Sequence, residues 1–337
     1  MSNKKTRFRF FILVFSTLVI SSCGLVRNKM SSSSFSSINV KNDSTYYSPI
    51  IWNYDTLGNG SVKKGAMYVM VYIKDLNENA LMQFDLGANL SGFYKKTLNL
   101  LIEDSPDIQQ RIKSTKKGVE YFENASFSLN NGVTLYKDHL YLWKNMGHDT
   151  LPESTPTIGT IGYDILTTHV LIIDYINDRI ALVNEVPNDL EKELTYISKV
   201  DLSKFPPILP FKFGGKRTRL FFDTGSSSHQ IITGTKRLKK IAVKRELVVI
   251  DSGYSWGKQD IIYKAKVQKI KDPSLYIGDI YLGQVQVSGT DKLNLISWAG
   301  RYLYGITGNV LFENCIVVID RKNNRFGIVK RNTEKNL

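Results

Sequence analysis

The chain has 337 residues, room for one large domain or two of medium size, and its 42% hydrophobic and 23% charged content excludes disorder for the bulk. Two cysteines and four histidines exclude a disulfide scaffold and a Cys/His zinc cluster, so no metal and no cofactor are expected. The net charge of +14 suits contact with an anionic surface, but its scatter favours a solvated face, and no base-reading module accompanies it to imply nucleic acid.

The start of the chain reads as a targeting segment. Lys4, Lys5, Arg7 and Arg9 precede a largely apolar stretch at 10–20, too short to span a bilayer, which needs about 20 apolar residues. Ile20-Ser21-Ser22-Cys23 then resembles the lipobox of bacterial lipoproteins. That resemblance implies a signal peptide at 1–22, cleavage before Cys23 and lipidation of Cys23 as the membrane anchor. Gly24 offers no acidic retention signal, so the outer membrane of a bacterial envelope is the expected location. Residues 23–45 include a Ser-rich run at 31–37 and read as a flexible tether, with folded structure expected from about residue 46.

Beyond the tether the chain repeats itself. Gly159-Thr160-Ile161-Gly162, the apolar run at 170–173, then Asp174, Asn177, Arg179 and Val183 recur 146 positions later as Gly305-Ile306-Thr307-Gly308, the run at 316–319, then Asp320, Asn323, Arg325 and Val329. Upstream of each lies an apolar hairpin ending in Asp-x-Gly, at Asp85-Leu86-Gly87-Ala88 and at Asp223-Thr224-Gly225-Ser226. Two lobes follow, 46–195 and 196–337. Strands dominate, including 262–270 and a strand-turn unit at 275–279, with helices expected only at 96–112, 189–197 and 234–241. The fold class is mainly β.

Phe222-Asp223-Thr224-Gly225-Ser226-Ser227, together with Gly308-Asn309-Val310-Leu311-Phe312 and the Asp320 segment, resembles the bilobal pepsin-like and retropepsin-like aspartic proteases. The resemblance covers both lobes. It implies a pseudo-twofold duplicated β fold and a dyad of Asp85 and Asp223, with Gly87 and Gly225 shaping the two loops. Ala88, Thr224 and Ser226 would support them, and Ser226 is placed to hydrogen-bond Asp223. Two carboxyls about 3 Å apart cannot both ionise. One then deprotonates water while its protonated partner donates to the substrate carbonyl. The implied partner is a peptide or protein substrate, and because one chain carries both loops the active unit is expected to be a monomer.

One motif residue departs from the family. Leu86 stands where its members carry Thr or Ser, whose hydroxyl bonds across to the opposite loop. This keeps open a second reading, a protease-like module that binds peptide without turnover. Asp251-Ser252-Gly253 also fits the Asp-(Ser/Thr)-Gly pattern, but its distance to Gly308 is 57 residues, against 77 from Asp85 to Gly162 and 85 from Asp223 to Gly308. The stretch 250–257 reads instead as a hairpin tip, with Tyr254 and Trp256 available as a flap over a cleft. Gly253-Tyr254-Ser255-Trp256-Gly257 matches the serine-hydrolase elbow, yet a strand pattern follows it and no histidine comes later in the chain.

Overall fold

The computed structural model describes residues 34–40, 47–56, 62–167, 169–227, 229–244, 248–255, 258–267, 269–290 and 303–331. Among the described residues the strands form three sheets, so the fold is mainly β as expected. A nine-stranded sheet is built from residues between 37 and 161, and a second nine-stranded sheet from residues between 208 and 307. A six-stranded sheet joins the halves, in the order Thr195–Tyr196, Arg325–Lys330, Cys315–Asp320, Val170–Asp174, Arg179–Val183, Ser48–Pro49.

The joining sheet carries the sequence repeat in its register. Val170–Asp174 runs antiparallel to Cys315–Asp320, pairing Leu171 with Ile319, Ile172 with Val318 and Ile173 with Val317. Exchanging the halves with the 146-residue offset turns the first of these pairs into the third and leaves Ile172–Val318 unchanged. A local twofold therefore passes between Ile172 and Val318. Each strand then turns back through an equivalent corner. Asp174 accepts hydrogen bonds from Asn177 and Arg179, and Asp320 accepts the same set from Asn323 and Arg325. Burial alone would raise the Asp320 pKa, but the bonds from Asn323 and Arg325 outweigh it and hold the carboxyl below its ordinary value.

Period-2 alternation gives each half two faces. On Glu78–Phe84, Ala80, Met82 and Phe84 enter the main core; on Lys216–Phe222, Leu220 and Phe222 do the same. Burying such a side chain is worth about 1.5–3 kcal/mol each, which fixes the register of these strands. Each of them pairs in parallel with a Gly-containing strand from the downstream repeat, Phe84 opposite Ile161 and Phe222 opposite Thr307.

Several sequence expectations shift at their edges. The helix expected over 96–112 is Lys95–Leu101 followed by one turn at Pro106–Gln109, and Ile112–Ser114 is already a strand. Pro106 lacks an N–H and forces Ser105 off the helical region, to φ −125° and ψ 75°. The helix expected over 189–197 stops at Glu193, because Thr195–Tyr196 pairs with Ile328 and Gly327. The third is present as Thr235–Ile241. The tether boundary also needs correction. Ser37–Asn39 pairs with the strand Thr134–Trp143, and Phe35 and Ile38 are buried, Phe35 edge-on to Phe127. Ordered structure starts before residue 46 because the Ser-rich run ends in two apolar side chains that reach the core. Cys23 and the signal segment lie outside the described residues.

Candidate active site

Asp85 and Asp223 each follow a strand that ends in Phe, and each is held by a bond from its backbone N–H to the parallel neighbour. Asp85 donates to the Ile161 carbonyl and Asp223 to the Thr307 carbonyl, both at 2.9 Å. Each carboxylate then turns its own loop. The Gly87 N–H donates to Asp85 Oδ1 and the Gly225 N–H to Asp223 Oδ1, both at 2.8 Å. Ala88 N–H and Ser226 N–H close the loops onto the carbonyls of Asp85 and Asp223, at 3.0 Å each. Ser226 thus meets Asp223 through its backbone N–H.

The two loops interlock at their glycines. A Cβ at Gly87 would overlap the Asp223 carboxylate, and a Cβ at Gly225 would lie 2.6 Å from Asp85 Oδ1. No side chain fits at either place. This close approach brings the aspartates, 138 residues apart in sequence, into contact, and their carboxyls hydrogen-bond one another. Both residues are buried. Burial, the neighbouring Asp223 charge and the bond to Asp223 together push the Asp85 pKa well above the carboxylate range, against the opposing pull of the Gly87 and Ala88 N–H groups. A pair so arranged holds a proton between its members and titrates as a unit.

Each loop is backed by the downstream repeat. Tyr163 N–H donates to the Ala88 carbonyl at 2.8 Å, and Gly162 packs so closely on Ala88 and Leu90 that a Cβ there would meet their carbonyls at 2.8 Å. Gly308 packs against the Ser226 carbonyl with no room for a Cβ at all. Behind the Asp223 loop, Asn309 Nδ2 donates to the Thr224 carbonyl at 2.6 Å and to Ser227 Oγ at 2.7 Å. Tyr175 Oη in turn donates to Asn309 Oδ1 at 2.6 Å.

The brace between the loops is one-sided. Thr224 Oγ1 accepts from the Leu86 N–H at 2.8 Å and donates to the Phe84 carbonyl at 2.9 Å. Leu86 is fully buried in the main core and has no hydroxyl to return the bond.

Sequence reading missed the support behind the Asp85 loop. Lys137 and Asp164 form a buried ion pair, and Asp164 Oδ1 also accepts from Ser91 N at 2.9 Å and Ser91 Oγ at 2.6 Å. Ser91 Oγ accepts from Gly162 N–H at 2.9 Å, and the Lys137 ammonium sits over the Phe35 ring. The available signal was Asp164 itself, an acid two residues after Gly162 where the other repeat has Val310.

The rival motifs lie elsewhere. Asp251-Ser252-Gly253 is inside the strand Val248–Ser255, not at a strand end, so residues 250–255 of the expected hairpin tip are strand, and 256–257 lie outside the described residues. Tyr254 pairs with Ile262 of Lys258–Val267, and Trp256 lies outside the described residues. The strand that follows Ser255 removes the helix that a nucleophile elbow requires. Cys315 is buried, which pushes its thiol pKa up to about 12 and makes it an inert apolar filler.

The chain matches no protein-family model. It matches no curated protein either.

Proposed function

We propose that the chain is an aspartic peptidase with a two-lobed, protease-like architecture, hydrolysing peptide bonds with a water activated between Asp85 and Asp223. The observation that carries this reading is the contact of two buried carboxyls across loops whose glycines exclude every other residue. In the proposed cycle the ionised carboxyl takes a proton from water as the water oxygen bonds to the carbonyl carbon. The protonated carboxyl gives its proton to the carbonyl oxygen. Collapse of the diol breaks the C–N bond: the amine leaves with the proton taken from water, and a diol hydroxyl returns its proton to the other carboxylate as the carbonyl re-forms. The local twofold through Ile172 and Val318, relating the two loops within one chain, supports a monomeric active unit.

Leu86 favours a second reading, a peptide-binding module of the same fold with little or no turnover, because apolar packing aligns the loops less strictly than a reciprocal hydroxyl bond. Lipidation at Cys23 would place either activity on the bacterial envelope, in the outer membrane. Among the described residues no helix is long and apolar enough to cross a membrane.

The test is incubation of the detergent-solubilised full chain with a mixed peptide library from acidic to neutral pH, beside an Asp223→Asn variant. Cleavage by the parent and its loss in the variant support the peptidase. Peptide binding by both without cleavage supports the binding module.

A further inference from the structure

The faces beside the two aspartates are chemically opposite. Two residues before Asp85 stands Gln83, and two before Asp223 stands Phe221. Period 2 puts both on the sheet face away from the main core. The pairing register then builds one row across each sheet. In the N-terminal half Tyr68, Gln83, Thr160 and Gly92 stand side by side. In the C-terminal half the same places are taken by Ile208, Phe221, Ile306 and Ile232. Phe221, Ile232 and Ile306 form an apolar cluster of their own with Leu303, separate from the main core.

The Asp85 row is polar and unsatisfied. Tyr94 Oη is 2.6 Å from Thr160 Oγ1 and donates to Gln83 Oε1 at 3.4 Å, and the Asp85 charge is close enough to act on the Tyr94 phenol. Gln83 is 3% exposed, and its Nε2 has no hydrogen-bond partner among the described residues. Trp143 Nε1 is buried without one as well, and a Cβ at Gly92 would lie 2.7 Å from it. Two N–H donors are thus left over at one row while the matching row has only hydrocarbon. Buried donors are nearly always paired, so a group with an acceptor oxygen is the missing partner. A carboxylate is disfavoured by the neighbouring acidic pair, which leaves a neutral acceptor.

We propose that Gln83, with Trp143, Tyr94 and Thr160, forms a subsite for a neutral hydrogen-bonding side chain, amide or hydroxyl, while the Phe221 row takes an apolar side chain across the reacting bond. The proposal deepens the peptidase reading and rests on it for the word substrate, though the subsite itself can be read by binding alone. A site built to hydrogen-bond a substrate group rejects an apolar analogue by large factors, because its own polar atoms are then left unpaired.

The experiment sequences the products of a random decapeptide library cut by the full chain, by Gln83→Met, which keeps the volume and deletes the donor, and by Phe221→Gln. The parent is expected to cut bonds with Asn, Gln, Ser or Thr on one side and a large apolar residue on the other. Gln83→Met should lower the preference for Gln over Met at the polar position by about 10-fold or more, with the apolar position unchanged. Phe221→Gln should relax the apolar position. An unchanged preference in Gln83→Met, with cleavage intact, overturns the subsite and leaves the peptidase standing. If nothing is cut, the peptidase fails. The same library is then read by capture on the parent chain, where enrichment of paired amide and apolar residues, lost in Gln83→Met, upholds the subsite and an unselective bound pool overturns it.

Discussion

Thr224 and Leu86 are joined by a hydrogen bond that runs in one direction only: the Leu86 backbone N–H donates to Thr224 Oγ1 at 2.8 Å, and the Leu86 side chain offers nothing in return. Leu86 contributes apolar burial in place of a hydroxyl, about 1.5–3 kcal/mol against about 0.5–1.5 kcal/mol for a typical hydrogen bond. The loops need not be less stable for the change. Thr224 supplies the hydroxyl brace between them from one side only.

Thr224→Val should therefore be the most damaging isosteric change at the site. It leaves the Leu86 N–H buried without an acceptor, at a cost of about 1–3 kcal/mol, and frees the loops to shift. Turnover should fall by about 100-fold, since a misplacement near 1 Å is enough for that. Leu86→Thr should raise turnover if its hydroxyl finds the Asp223 loop. Melting temperature and peptide cleavage on the same preparations check both, and a Thr224→Val protein with parental turnover would remove the brace from the argument.

The raised pKa of Asp85 has a consequence for stability. The folded chain holds a proton that the unfolded chain releases near the ordinary carboxylate pKa of about 3.9. The contribution of the pair to stability is thus greatest below that value and falls as pH rises toward the folded pKa of the pair. Asp223→Asn removes one of the two ionisable carboxyls and should be more stable than the parent at neutral pH, with the difference shrinking to nothing below about pH 4. Denaturation midpoints at several pH values measure this; a difference independent of pH would contradict it.

Lys137→Met should destabilise the N-terminal half strongly, although it is chemically remote from the dyad. Lys137 and Asp164 are 1% and 7% exposed, so removing the lysine strands a buried carboxylate. The expected cost is about 3–5 kcal/mol, and the double change Lys137→Met with Asp164→Leu should recover much of it. Denaturant midpoints of the two single variants and the double variant decide the matter. Equal losses in all three would show that the pair does not act as a unit.

Cys23→Ala should release the chain from membranes, and mass spectrometry of the native protein should find acyl chains on Cys23 as the first residue. Membrane retention of the alanine variant, or residues preceding Cys23 in the mature chain, would refute the anchor.

The repeat by itself determined a good deal. The 146-residue offset and the paired Asp-x-Gly hairpins located both loops, both backing glycines and the Asp174 and Asp320 corners, because duplicated strands keep their spacing when each must bury the same face. Asp251 could be set aside on distance alone. Three things needed the tertiary structure. Helix ends at Leu101 and Glu193 were set by Pro106 and by strand pairing of Thr195, and such pairing overrides local propensity. Lys137 became legible only when folding brought it, Asp164 and Ser91 together, since a lone lysine in a strand ordinarily reads as solvated. The contrast between the Gln83 and Phe221 rows was invisible for the same reason. Each row takes one residue from each of four separate strands, and only register places them side by side.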